Sequence, residues 1–138
     1  MRVLFLDIDG VLNSREYDAR CAMTGGDLMQ PDPRLVVRLM GIVQETDAKI
    51  VLTTSWRLDK SIEWPFPVYD RTPRGDAFGC RAEEIKAWLV ENHGDYADFV
   101  IIDDEPDAGV GFSEHFVQTN PQTGLTAEDA ATIVGLFT

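Results

Sequence analysis

Asp7 and Asp9, one residue apart and followed by Gly10, stand at the end of the apolar run Val3-Leu4-Phe5-Leu6. A short unbroken run of this kind suits a strand buried on both faces, as in a parallel sheet. Carboxylates at the end of such a strand are costly unless they pair, bind a metal or take up protons. Gly10 lets the chain turn sharply where a side chain would obstruct it. Two further apolar runs end in groups that could share a site with this pair. Ile50-Val51-Leu52 leads into Thr53-Thr54, and Phe99-Val100-Ile101-Ile102 leads into Asp103-Asp104. Carboxylates and a hydroxyl gathered at one point offer hard oxygen ligands. These favour Mg²⁺ over zinc, which would draw on His or Cys.

The elements that must position these groups alternate along the chain. Strands are expected at Arg2–Leu6, Lys49–Leu52, Pro67–Tyr69 (a weak one), Phe99–Ile102 and His115–Gln118. Asn13 to Pro33 reads as a long polar loop. Asp32-Pro33 then supplies an N-cap followed by proline at the first helical position, opening a helix that ends near Thr46. A second helix runs from about Ala82 to His93, with Ile85, Trp88 and Leu89 on one face and Gly94 as its stop. Thr126 with Asp129 three residues on opens a final helix through Phe137. The class is therefore α/β, a central parallel sheet of about five strands flanked by helices. In such sheets ligands bind beyond the carboxyl ends of the strands, where all three polar strand ends fall.

Composition sets the outer bounds. The 138 residues fit one domain, 1–138, able to build a core without disulfide or zinc support. Cys21 and Cys80 lack metal-ligand spacing and read as free thiols. No apolar run approaches a membrane span and no secretory signal precedes the first strand, so a cytoplasmic location without membrane partners is expected. The net charge is −12, and all twelve Lys and Arg residues lie at or before Lys86. Such a surface argues against non-specific binding to nucleic acid or anionic membrane. It leaves room for a phosphorylated substrate at a locally positive site. Arg57, Lys60, Arg71, Arg74 and Arg81 form the main basic run, most of it read as solvated surface.

Taken together, Asp7-Ile8-Asp9-Gly10-Val11, Thr53 and Asp103-Asp104 resemble three of the four motifs of haloacid dehalogenase (HAD) superfamily phosphatases, over nearly the whole chain. The resemblance implies a Rossmann-like core and a Mg²⁺-dependent phosphomonoester hydrolase working through an aspartyl-phosphate. It makes Asp7 the nucleophile and Asp9 the acid that protonates the leaving oxygen and then activates water. Asp7, Asp103 and the Asp9 carbonyl would hold Mg²⁺, with Asp104 orienting Asp103 or a metal-bound water. Thr53 would hydrogen-bond a phosphate oxygen, while Thr54 and Arg57 would contact substrate and Trp56 would pack. The remaining motif is usually Lys, and the candidates here are Arg81 and Lys86. Arg81 sits where the helix leaves the catalytic edge and is chosen, although Arg is a different donor from Lys.

The gaps that could carry a cap are short. Asn13–Pro33 holds about twenty residues and Asp70–Cys80 about ten, too few for a folded cap in either place. Capless sites are open, which suits macromolecular ends, or small substrates covered by a partner subunit, so an oligomer could stand in for the cap. The DxDGVL and TTSWR strings also resemble small HAD domains associated with RNA end repair. A general phosphomonoesterase ranks first, with nucleic-acid ends as the alternative. A non-catalytic phosphate- or Mg²⁺-binding regulator is the runner-up from another class. Response-regulator receivers also use an acidic cluster, but there the acidic pair ends the first strand and the phosphoacceptor ends the third. The strand order here disfavours that reading.

Overall fold

Among the described residues five strands form one sheet, joined in the order β3-β2-β1-β4-β5 with every neighbouring pair parallel. They are β1 (Arg2–Leu6), β2 (Lys49–Leu52), β3 (Asp70–Arg71), β4 (Asp98–Asp103) and β5 (Phe116–Gln118). Four α-helices accompany them among the described residues: α1 (Arg15–Met23), α2 (Pro33–Thr46), α3 (Arg81–Glu91) and α4 (Ala127–Phe137). The computed structural model describes residues 1–25, 30–59, 61–73 and 80–137, with the side chains of 57 and 58 left aside. Lys60 and Arg74 of the basic run lie outside the described residues. Among those described, no helix is long and apolar enough to cross a membrane.

Alternation along β1 divides the core. Leu4 and Leu6 face α2 and α4, packing with Leu39, Ile42, Ile133 and Phe137, while Val3 and Phe5 face α3 through Ile85, Trp88 and Leu89. Both faces of β1 are therefore dry, as its uninterrupted apolar sequence requires. Phe5 meets Trp88 edge-on at 5.4 Å between ring centroids, a favoured aromatic geometry. The two predicted caps form as read. Asp32 accepts from Arg34 N at 3.0 Å, and Thr126 and Asp129 make a reciprocal box at 3.0 Å in each direction.

Several expectations need correction. The polar stretch after β1 is not all loop, because α1 occupies Arg15–Met23. It buries no residue, so it carries no apolar stripe to announce it. Hydrogen bonds at its start hold it instead: Ser14 accepts locally from Tyr17 N at 3.1 Å, and Arg15 N and Glu16 N donate to Pro121 O and Gln122 O from the far end of the chain. The weak edge strand is displaced from Pro67–Tyr69 to Asp70–Arg71, since Pro65 and Pro67 have no N–H to give the ladder. His115 belongs to a 3₁₀ turn ahead of β5, and α3 ends at Glu91 with Asn92 as its cap.

Candidate active site

Register brings the polar strand ends together. Leu6 pairs with Leu52 on one side and Ile102 on the other, so the next residues, Asp7, Thr53 and Asp103, form one row at the carboxyl edge. The ladder continues through that row: Asp7 N donates to Ile102 O at 3.1 Å and Thr53 N to Leu6 O at 3.0 Å. Asp7, Thr53, Thr54 and Asp103 are all buried. Carboxylate oxygens of Asp7, Asp103 and Asp104 all lie within 4.8 Å of one another. Asp104 thus stands within the carboxylate cluster itself.

Arg81 is the cation this cluster needs. It opens α3, and its Nη1 lies 2.7 Å from Asp103 Oδ2 and 3.2 Å from Asp7 Oδ2. Lys86, a turn further on, is exposed. Burial opposes charge on Arg81, but Asp7 and Asp103 outweigh it and raise the guanidinium pKa. The Asp7 carboxyl is pushed up to about 8, first by burial and then by the Asp103 charge, with Arg81 opposing. Asp104 is pushed up to about 6 by burial, followed by its hydrogen bond to Asp103 and that group's charge. One guanidinium leaves the three carboxylates under-compensated. An all-oxygen set of this density fits a hard divalent cation such as Mg²⁺.

Asp9 stands apart from the cluster and is held from two sides. Asn13 Nδ2 donates to Asp9 Oδ1 at 2.9 Å, and Trp56 Nε1 donates to Asp9 Oδ2 at 3.0 Å. Trp56 does not simply pack: it is 39% exposed and spends its N–H on Asp9. Asn13 reads from sequence only as the start of a loop, yet its Oδ1 also accepts from Gly10 N at 2.9 Å. Its position four residues after Asp9 was the available signal, since Asn in a tight turn bonds nearby backbone. Thr54 caps the 3₁₀ turn Ser55–Leu58 by accepting from Trp56 N, which fixes where Trp56 starts. The Arg57 side chain lies outside the described residues.

Gly10 completes the turn. Its φ is +79°, and a Cβ there would come within 2.5 Å of Asp104 Oδ2. Thr119, on the segment leaving β5, locks the turn by donating its hydroxyl to Gly10 O at 2.7 Å. Thr119 N also bonds Asp103 O at 3.0 Å, so one residue ties the two acidic loops together. The sequence reading missed Thr119 because 109 residues separate it from Gly10.

Cys21 and Cys80 are free thiols. A search of curated proteins finds no significant match. The family described as the HAD domain in Swiss Army Knife RNA repair proteins matches residues 3–130. That span runs from β1 into α4 and takes in the acidic cluster, Arg81 and the Asp9 turn, with no folded cap among the described residues. The chain accordingly belongs to the HAD superfamily, within the family of HAD domains found in Swiss Army Knife RNA repair proteins.

Proposed function

We propose that this chain hydrolyses phosphate monoesters at nucleic-acid ends, with Asp7 as nucleophile and Mg²⁺ as cofactor. The observation that carries the proposal is Arg81 Nη1 lying against both Asp7 and Asp103 beside a separately held Asp9. An Asp7 oxygen attacks phosphorus, and the bond from phosphorus to the ester oxygen breaks. Asp9 gives its proton to that leaving oxygen, then takes one from the water that cleaves the aspartyl-phosphate. Asn13 Nδ2 and Trp56 Nε1 each hold one oxygen of Asp9, which fixes the orientation of the carboxyl for both steps. Arg81 places positive charge where the phosphoryl oxygens gather, and Thr53 offers a hydroxyl to one of them. Asp7, Asp103 and Asp104, with the Asp9 carbonyl, would hold Mg²⁺, which would offset charge on these carboxylates and on the transferring group.

The family match favours nucleic-acid ends over a general phosphomonoesterase, and short capless loops suit such an end. The test is phosphate release from 5′- and 3′-phosphorylated oligonucleotides and from glycerol phosphate, with Mg²⁺ and with EDTA. Turnover on the oligonucleotides that needs Mg²⁺ and vanishes in Asp7→Asn supports the proposal. Turnover that survives Asp7→Asn removes Asp7 as nucleophile, and a preference for glycerol phosphate restores the small-molecule reading.

A further inference from the structure

Beside the acidic site lies a cavity of about 480 Å³ lined by Ile8, Val36, Trp56, Ile62, Trp64 and prolines, within the size range of small-ligand sites, about 300–1,000 Å³. Nothing in the hydrolytic chemistry uses it. Two features join it to that chemistry. Ile8 stands between Asp7 and Asp9, and Trp56, whose Nε1 holds Asp9, forms part of the cavity wall. Asp9 is the group that meets the leaving oxygen, so the organic part of the substrate departs on the side where this wall begins. We infer that the cavity receives the nucleobase of the terminal nucleotide, stacked against Trp56 or Trp64. This inference rests on the hydrolytic reading of Asp7 and names what that site selects.

Charge makes the same point independently. Proteins that take nucleic acid by its phosphates do so with clustered Lys and Arg and release counterions. This chain carries −12, and past Lys86 it has no Lys or Arg at all. Beyond the phosphate contact at Arg81, affinity for a polyanionic end then calls for contacts that do not depend on net charge. Base–aromatic stacking is such a contact and is strong enough to matter. Two tryptophans in one small cavity supply it, and Trp56 remains 39% exposed even with its N–H engaged. Gln30 and Glu63 are polar members of the lining, able to meet the polar edge of a base.

The experiment compares two oligonucleotides that differ only in the phosphorylated terminal nucleotide, one with its base and one abasic. Wild-type protein should show kcat/KM at least about fivefold higher on the base-bearing end, as one stacking contact implies. Trp64→Ala should bring the ratio of kcat/KM on the two ends down to about one, and Trp64→Phe should keep most of the preference. Equal rates on both ends by wild type overturn the inference without relying on any variant. So does a Trp64→Ala loss that falls equally on both substrates. Should wild type hydrolyse neither, the hydrolytic reading fails and binding decides the cavity's role. Tighter binding of the base-bearing end by wild type than by Trp64→Phe and Trp64→Ala, in that order, then supports it, and equal binding of the two ends overturns it.

Discussion

Arg81 Nη1 lies 2.7 Å from Asp103 Oδ2, with the fully buried Asp103 side chain at the end of β4 and Arg81 at the first residue of α3. The same nitrogen is 3.2 Å from Asp7, so one guanidinium is shared between carboxylates of two neighbouring strands. Removing one partner from a buried ion pair costs about 3–5 kcal/mol because it leaves the remaining charge uncompensated. Arg81 keeps some contact with water, so Arg81→Ala should fall near the lower figure, about 3 kcal/mol in metal-free protein. A bound cation would replace the lost charge. Thermal melts should therefore show a larger Mg²⁺-induced rise for Arg81→Ala than for wild type. An equal rise in both proteins would mean that Arg81 and the cation do not act on the same carboxylates.

Gly10→Ala tests whether the turn after Asp9 builds the cluster. A methyl group there meets Asp104 and forces a side chain onto a φ of +79°. Asp104 must move or the turn must open, and either change breaks the set of three carboxylates. The variant should lose about 1–2 kcal/mol of stability from the backbone alone. Its Mg²⁺ affinity, read by isothermal titration, should fall with it. Lost stability with unchanged affinity would place Asp104 outside the metal set.

Much of this arrangement was legible in the sequence, and the reason is physical. Where an apolar run stops at Asp or Thr, the strand ends and the chemistry begins, and parallel register does the rest. Asp7, Thr53 and Asp103 can be placed on one edge from sequence because each closes an apolar run, and in the structure Leu6 pairs with both Leu52 and Ile102. The Asp32 and Thr126 caps followed from local pairing of side chain with backbone. What sequence did not disclose was of two kinds. Helix α1 has no buried residue, so periodicity had nothing to register. Trp56 and Thr119 act through contacts 47 and 109 residues away in the chain, which no local pattern encodes.

Trp56→Phe separates the hydrogen bond to Asp9 from the bulk of the ring. Hydrogen bonds to charged groups contribute about 1.5–3 kcal/mol, so kcat should drop by roughly ten- to a hundredfold if Asp9 needs this donor for alignment. Asn13 still holds the other oxygen of Asp9, so activity should not vanish. Asn13→Ala should act in the same direction, and the double variant should exceed either single one. A Trp56→Phe rate equal to wild type would reduce this contact to a surface tie with no part in turnover.

Asp32 offers a pH-dependent test away from the cluster. Its Oδ1 accepts from Arg34 N at 3.0 Å, its Oδ2 pairs with Arg34 Nη2 at 2.9 Å, and its own N–H donates to Leu12 O at 2.6 Å. It thereby anchors the start of α2 to the turn that follows the Asp7–Asp9 strand end. Burial opposes its ionisation, but the hydrogen bonds from Arg34 outweigh burial and hold the carboxyl below its ordinary value of 3.8. A carboxyl depressed in the folded state binds fewer protons folded than unfolded. Its contribution is then fully present above pH 3.8 and is lost as pH falls through the folded value. Asp32→Ala should cost about 1 kcal/mol at pH 7, the usual worth of an N-cap. Urea melts of both proteins should show that gap narrowing once pH drops below about 4, as the wild-type carboxyl takes up its proton. A gap that stayed constant to pH 2 would assign the whole effect to the neutral cap and none to the charge shared with Arg34.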